Sequence, residues 1–347
     1  MTKKCFALFG GTGAIGTHLT QVALQLGHMV VSYQRKRELP SELQNHPNVR
    51  VVRGVDITDA QGVAEALAIH QGSIDVLWNL AAPLSVETQN DPAHAEQVTV
   101  GGMRNILNAL ATTPRKPVVC FSDSVGSYGA TAPRQSADVQ WLIDNPTQDP
   151  GSNYGIQKRA IRDLLAEATE IDTRFLVIPG VLHASPTWGA GTTEYVLDAI
   201  KEVVETGSFE CPIPANSALP MIHLDDLVDA MIRLSVAETV AVTQGGFTLQ
   251  GFSFTPAQLK DELCRQLGED GVEWVYGSEL TDANKSPALA KAARTQRQTM
   301  TQFATIWPES LEVETIAHEL GWRAKRDFAD TIAEIVAARK LTLLTSN

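Results

Sequence analysis

Tyr154 and Lys158 stand four residues apart at the head of a segment whose apolar positions, Ile161, Leu164, Leu165 and Ala168, recur at helical spacing. Residues four apart share one face of a helix, so the ammonium can lie beneath the phenol. A free tyrosine, with a pKa of about 10, is a poor base at neutral pH. A fixed cation nearby favours the phenolate and makes it usable for proton transfer. A solvated Tyr-Lys pair on an exposed helix would read the same, so the pair takes its meaning from what surrounds it.

The elements that must aim such a pair lie upstream. Cys5-Phe6-Ala7-Leu8-Phe9 is a short apolar run that stops in Gly10-Gly11-Thr12-Gly13-Ala14-Ile15-Gly16, and a helical pattern follows through Leu19, Val22, Ala23 and Leu26. In a strand–glycine turn–helix unit the first glycine (Gly10) permits the tight turn, and the second (Gly13) lets backbone N–H groups approach a pyrophosphate. The third (Gly16) lets helix and strand pack closely. With both flanking elements present, dinucleotide binding is the reading favoured over a plain turn.

A second strand, Met29-Val30-Val31-Ser32-Tyr33, ends at Gln34-Arg35-Lys36-Arg37, with no carboxylate before Glu38. A free ribose 2′-OH is met at this point by Asp or Glu and a 2′-phosphate by arginine, so Arg35 favours NADP over NAD. A solvated basic loop remains the other explanation. Val49-Arg50-Val51-Val52-Arg53-Gly54-Val55 reads as a third strand, after which Asp56 and Ile57 could line an adenine pocket and Thr58 or Asp59 cap a helix. Residues 74–80 make a fourth strand ending in Ala81-Ala82-Pro83, where small side chains would let a cofactor lie flat. A helix around 103–111 precedes a fifth strand, Pro117-Val118-Val119-Cys120-Phe121, leading to Ser124. A sixth, Arg174-Phe175-Leu176-Val177-Ile178, ends at Pro179-Gly180. Strands alternating with helices predict an α/β fold: a Rossmann-type, doubly wound parallel sheet with ligands at the carboxyl ends of its strands.

After Gly180 the pattern changes. Residues 181–347 are expected to form mainly a smaller mixed α/β substrate lobe over a dinucleotide-binding domain of residues 1–180, with some later segments returning to that domain. Gly189-Ala190-Gly191-Thr192-Thr193 reads as a flexible polar loop, and His223, Asp225 and Asp226 as a helix-start network.

At 347 residues the chain is long enough for a sizeable core, and its formal charge of −12 argues against a nucleic-acid or anionic-membrane surface. Cys5, Cys120, Cys211 and Cys264 lack metal or CxxC spacing and read as buried free thiols. His28, His46, His70 and His94 show no ligand spacing, and no metal is expected. There is no bilayer-length apolar run and no signal-peptide pattern, so a cytoplasmic protein is the expectation.

Taken together, the glycine fingerprint, Ser124, Tyr154-x-x-x-Lys158 and Pro179-Gly180 resemble the extended short-chain dehydrogenase/reductases. Within them the chain is most similar to short-chain-type L-threonine 3-dehydrogenases, through Ser124-Val-Gly-Ser-Tyr-Gly129, Gly191-Thr-Thr-Glu-Tyr195, Gly207-Ser-Phe-Glu-Cys211, Leu219-Pro-Met-Ile222, Phe252-Ser-Phe-Thr-Pro256 and Trp307-Pro308. The resemblance implies Tyr154 as acid/base, Ser124 as a hydrogen-bonding partner of the substrate oxygen, and Lys158 on the nicotinamide ribose, depressing the tyrosine pKa. It implies Ser85, Thr192, Thr193 and Trp307 around a small-molecule substrate. It also implies a homodimer, and NAD as the other possible cofactor. The chain departs from the family at Gln34-Arg35, where an acidic residue is usual, and at Thr99, where asparagine is. It departs again at Val177 and Ala218, where arginines are common, which is expected to cost the pocket two cations. The alternatives are a nucleotide-sugar epimerase or dehydratase using bound cofactor transiently, and a non-catalytic NADP sensor, for which the intact Ser-Tyr-Lys set has no use.

Overall fold

The computed structural model describes residues 2–70, 72–185, 191–238, 245–276 and 298–346. Gly189 and Ala190 of the expected polar loop lie outside the described residues.

The first half alternates as its apolar pattern requires. β1 (Cys5–Phe9), α1 (Ala14–Gln25), β2 (Met29–Gln34), α2 (Ser41–Gln44), β3 (Val49–Arg53) and α3 (Ala60–Ala68) come first. β4 (Val76–Asn79), α4 (Ser85–Asn90) and α5 (Pro92–Glu96) follow, and a π-helical turn (Gln97–Gly101) runs into α6 (Gly102–Ala111). β5 (Val118–Ser124), α7 (Val139–Asp144), α8 (Asn153–Glu167) and β6 (Thr173–Ile178) complete it. The later elements are β7 (Gly180–Leu182), α9 (Tyr195–Thr206), β8 (Ser208–Cys211), β9 (Leu219–His223), α10 (Leu224–Val236) and β10 (Gly246–Thr248). They end with β11 (Phe252–Phe254), α11 (Pro256–Leu267), β12 (Glu273–Tyr276), α12 (Glu314–Leu320) and α13 (Phe328–Ser346).

Seven strands among the described residues form one sheet in the order β10-β6-β5-β4-β1-β2-β3, every neighbouring pair parallel. The order reverses between β1 and β4, the place where such sheets open a crevice for ligands. Successive strand residues point to opposite faces. Ala7, Phe9, Val31, Leu77 and Phe121 meet Val63 of α3, Met103 and Ile106 of α6, and Ile161 and Leu165 of α8. Phe6, Leu8, Val30, Trp78, Cys120 and Leu176 meet Leu19 and Ala23 of α1 and Leu227 and Met231 of α10. Each fully buried Leu, Ile or Phe contributes on the order of 1.5–3 kcal/mol, and both faces are lined with them.

α10 and β10 belong to this sheet assembly although they follow residue 180. Trp78 Nε1 donates to Ser235 Oγ at 2.8 Å, tying β4 to α10. Arg174 of β6, 1% exposed, closes the carboxyl end of α10 by donating to the carbonyls of Leu234 (2.5 Å) and Ala237 (2.9 Å) while paired with Asp172. A cation at a helix C-terminus satisfies its unpaired carbonyls and its dipole. The smaller sheets are β11-β9-β7, of mixed direction, and β12-β8.

The third strand is shorter than expected, ending at Arg53, because Gly54 turns with φ +75°. The fifth is longer, reaching Ser124. All four cysteines are free; Cys5, Cys120 and Cys211 are buried and Cys264 half-buried. No helix among the described residues is long and apolar enough to cross a membrane.

Candidate active site

Ser124 is the last residue of β5, at the carboxyl edge of the sheet, and its Oγ accepts from Gly126 N at 3.1 Å in the 3-10 turn that follows. Ser152 caps α8, accepting from Gly155 N at 3.0 Å, and so places Tyr154 in the first turn and Lys158 one turn on. Helix and strand end meet closely because both contact points are glycine. A Cβ on Gly155 would sit 2.1 Å from Gly126 O, and one on Gly126 would sit 3.0 Å from the Tyr154 ring and 3.2 Å from Trp307 Cζ2.

Lys158 is 3% exposed; its Nζ donates to Ser122 O at 2.6 Å and lies 5.2 Å from the centre of the Tyr154 ring. Burial pulls its ammonium down to about 8, against an upward pull from Asp123. Burial likewise pushes the Tyr154 phenol well up, and its hydrogen bond with Ser124 opposes that, while Asp123 and Glu194 reinforce it. The hydrogen bond with Ser124 thus favours the phenolate, and the bond from Lys158 to Ser122 ties α8 to β5.

Beneath these three lies a buried ion pair. Asp123 accepts from Ser124 N at 2.8 Å and Ser127 Oγ at 2.5 Å, and it pairs with Arg162 of α8. Val177, across the ladder from Asp123, is fully buried in the sheet core. Arg162 supplies a guanidinium against Asp123 from α8.

At the other end of the crevice, Gly10 has φ +76°, and a Cβ there would fall 2.6 Å from Ala81 N, so the turn after β1 presses on the residues after β4. Gly16 backs onto Gly11, where a Cβ would meet Gly11 Cα at 2.5 Å. Gly13 is the N-cap of α1 with no side-chain cap and no acidic residue in the first turn. Thr12, Ala14 and Ile15 are half-buried there. The N–H groups of an uncapped helix start, next to a space that glycine keeps clear, fit a dinucleotide pyrophosphate. Ala81 and Ala82 are half-buried after β4, and Pro179 is buried after β6.

Arg35 is exposed after β2, its Nη1 3.7 Å from Asp56 Oδ2. Asp56 is held below the ordinary carboxylate range chiefly by the hydrogen bond from Thr58 N, with Arg35 contributing less. Gln34 is buried; its amide N–H₂ donates to Ser32 Oγ at 3.3 Å and its Oε1 has no partner. Ile57 packs against Gly102.

A family model described as the NAD dependent epimerase/dehydratase family matches residues 7–243. The chain belongs to that family. It is 25% identical over 330 residues to the mitochondrial L-threonine 3-dehydrogenase of Sus scrofa, covering 90% of this chain and 79% of that protein. Its fold matches a monomeric L-threonine 3-dehydrogenase from a metagenome (22% identity, TM-score 0.78, 97% and 99% of the two chains). It also matches the UDP-glucose 4-epimerase of Thermus thermophilus in complex with NAD (18%, 0.74, 97% and 99%). As a member of the epimerase/dehydratase family the chain is an NAD(P)-dependent enzyme.

The residues expected around a substrate fall into separate contacts. Ser85 Oγ accepts from Thr192 N at 3.0 Å and lies 3.2 Å from Thr192 Oγ1, so those two buried hydroxyls largely satisfy one another and clamp α4 to the 191–194 turn. Thr193 borders Gly180. Trp307, 3% exposed, stacks on Phe303 with ring centres 5.5 Å apart; its Nε1 has no partner, and its Cζ2 edge borders Gly126 beside Tyr154. Thr99 is buried with its hydroxyl 2.8 Å from Gln157 Oε1, a contact internal to the scaffold. Sequence reasoning missed Asp123, Arg162 and Glu194. The only local signal was the position of each: Asp123 precedes Ser124, Arg162 follows Lys158 by one turn, and Glu194 follows Thr193. His223 and Asp226 form the expected helix-start network: His223 Nδ1 accepts from Asp225 N, and Asp226 accepts from Lys325 N and Arg326 N.

Proposed function

We propose that the enzyme is an L-threonine 3-dehydrogenase-like oxidoreductase acting on the CH–OH group of a secondary alcohol, or on the matching ketone. Its substrate in this reading is threonine or a related β-hydroxy compound. The convergence of Ser124, Tyr154 and Lys158 at the carboxyl edge of the sheet, one crevice away from the glycine turn, carries this reading. The nicotinamide group supplies hydride acceptance and donation when bound. Ser124 donates to the substrate oxygen and orients it. Tyr154 Oη takes the hydroxyl proton on oxidation and returns it on reduction. Lys158 fixes the helix that carries the phenol and stands next to the ribose position. Gly10, Gly13 and the start of α1 hold the pyrophosphate, Asp56 and Ile57 border the adenine, and Ala81, Ala82 and Pro179 border the rest. Arg35, exposed and without a carboxylate beside it in sequence, supports NADP over NAD.

In the same reading residues 1–180 carry most of the dinucleotide site, residues 181–347 most of the substrate lobe, and the enzyme works in the cytoplasm as a homodimer. The testing experiment incubates the purified chain with NAD or NADP and L-threonine, other β-hydroxy acids and simple ketones, following nicotinamide absorbance. Steady production or consumption of reduced cofactor is expected. Substrate conversion with no net change in reduced cofactor would instead mark an epimerase or dehydratase.

A further inference from the structure

Arg134 stands in the loop between β5 and α7, and the mechanism above does not use it. Its partners come from the far end of the chain. Nη1 donates to Thr305 O at 2.8 Å and to Trp307 O, and Nη2 donates to Glu309 Oε1 at 2.8 Å. The Arg134 carbonyl accepts from Glu309 N at 2.7 Å. Thr305 and Trp307 lie at the end of a helical segment that runs through 298–306, so the guanidinium meets carbonyls that such an end leaves unpaired.

The segment held in this way reaches the reacting groups at two points. Trp307 Cζ2 lies 3.2 Å from where a Cβ on Gly126 would stand, and the Tyr154 ring comes within 3.0 Å of the same point. Ile306 Cδ1 lies 2.7 Å from the Cβ position of Gly151, which has φ +71°. Gly126 N donates to Ser124 Oγ, and Gly151 precedes Ser152, the cap of the helix that carries Tyr154. Ile306 and Trp307 are therefore the packing against which the Ser124 turn and the start of α8 are set. Phe303, stacked on Trp307, backs them.

Other bonds keep the segment attached on either side of this stretch. Thr301 Oγ1 donates to Pro212 O at 2.9 Å, Leu311 N to Gln250 Oε1 at 2.7 Å, and Glu312 N to Ala137 O at 3.0 Å. Between them Arg134 holds residues 305–309, with one further bond from Gln135 to Glu309.

We infer that Arg134 is a positioning residue of the reaction: by capping the 298–306 helix and pairing with Glu309, it seats Ile306 and Trp307 against Gly151 and Gly126 and so fixes Ser124 and Tyr154 relative to one another. The kinetic part of the inference rests on the dehydrogenase reading. A shift of about 1 Å at reacting groups costs about 10²-fold in rate. The glycine turn and Arg35 are built from other residues, so cofactor affinity should not follow.

The test compares the full chain with Arg134→Met, Arg134→Lys and Glu309→Gln. Amide hydrogen exchange of the free protein, read by mass spectrometry, should quicken in Arg134→Met over residues 303–309 and also over 124–128 and 152–156, with β1 to β4 unchanged. On L-threonine and 3-hydroxybutyrate kcat should drop about 10- to 100-fold, with NADP affinity by fluorescence titration unchanged. Arg134→Lys keeps a donor for the two carbonyls but loses the planar pair with Glu309, so it should retain part of the rate. Glu309→Gln keeps an acceptor and should stay near the wild type. A lower stability with wild-type kcat and wild-type exchange at 124–128 and 152–156 overturns the inference. If Arg134→Met does not fold, wild-type kcat and exchange in Arg134→Lys overturn it instead. Absence of cofactor reduction by the wild type with every alcohol overturns the dehydrogenase reading, and the exchange pattern then decides on Arg134.

Discussion

The two ends of the binding crevice are built on opposite plans. Around Tyr154 the polar groups are buried or half-buried and most are answered: Ser124 by Gly126, Lys158 by Ser122, Asp123 by Arg162 and Ser127. Around Arg35 the charges are exposed, and the nearest pair, with Asp56, is 3.7 Å long. Proton transfer needs a phenol held in one place in a dry setting, where fixed dipoles act strongly. Choosing between a ribose hydroxyl and a phosphate needs only a side chain that can reach one of them, and solvent exposure costs that choice little. Rigidity is concentrated where bonds change.

That contrast can be broken from the rigid end first. Tyr154→Phe should lower turnover by about 10²- to 10⁴-fold with cofactor affinity, read by fluorescence titration, nearly unchanged. Arg162→Met strands a buried carboxylate, so urea unfolding should report a loss of about 3–5 kcal/mol. The double variant Asp123→Asn/Arg162→Met should recover much of that loss. If Arg162→Met were as stable as the wild type, the ion pair would not be the brace described.

Lys158 sits at about 8 against an ordinary 10.5 because of burial. Between those values the unfolded chain binds the extra proton, so the contribution of Lys158 makes stability rise with pH across that window. Activity should fall as pH rises through about 8, where the folded chain loses the ammonium, and a flat pH–rate profile there would argue against a role for its charge. At the exposed end the effects shrink. Arg35→Ala should weaken NADP about tenfold, the scale of one charge-assisted contact, with NAD little changed; equal losses would remove Arg35 from the choice of cofactor. Asp56→Asn, which keeps an acceptor for Thr58 and removes the long pair with Arg35, should shift stability by less than about 1 kcal/mol.

What could be read from the chain itself follows the same division. The glycine turn, the alternating strands and Tyr154-x-x-x-Lys158 are local patterns, each spelled out within a few residues. Asp123 and Arg162 are 39 positions apart, and Ser85 and Thr192 are 107 apart; nothing in either neighbourhood announces its partner.

β10 and α10 bear on the order in which the chain can finish folding. A nascent chain ending near residue 180 holds six of the strands of the large sheet, yet Trp78, Leu176 and Ile178 have no α10 to cover them and β6 is an open edge. Such surface is what chaperones bind and what aggregates. A fragment of residues 1–180 should accordingly take up a hydrophobic dye that the full chain excludes. During synthesis, the large sheet stays unfinished until residue 248 has left the ribosome, by which time β7, α9, β8 and β9 have been made as well.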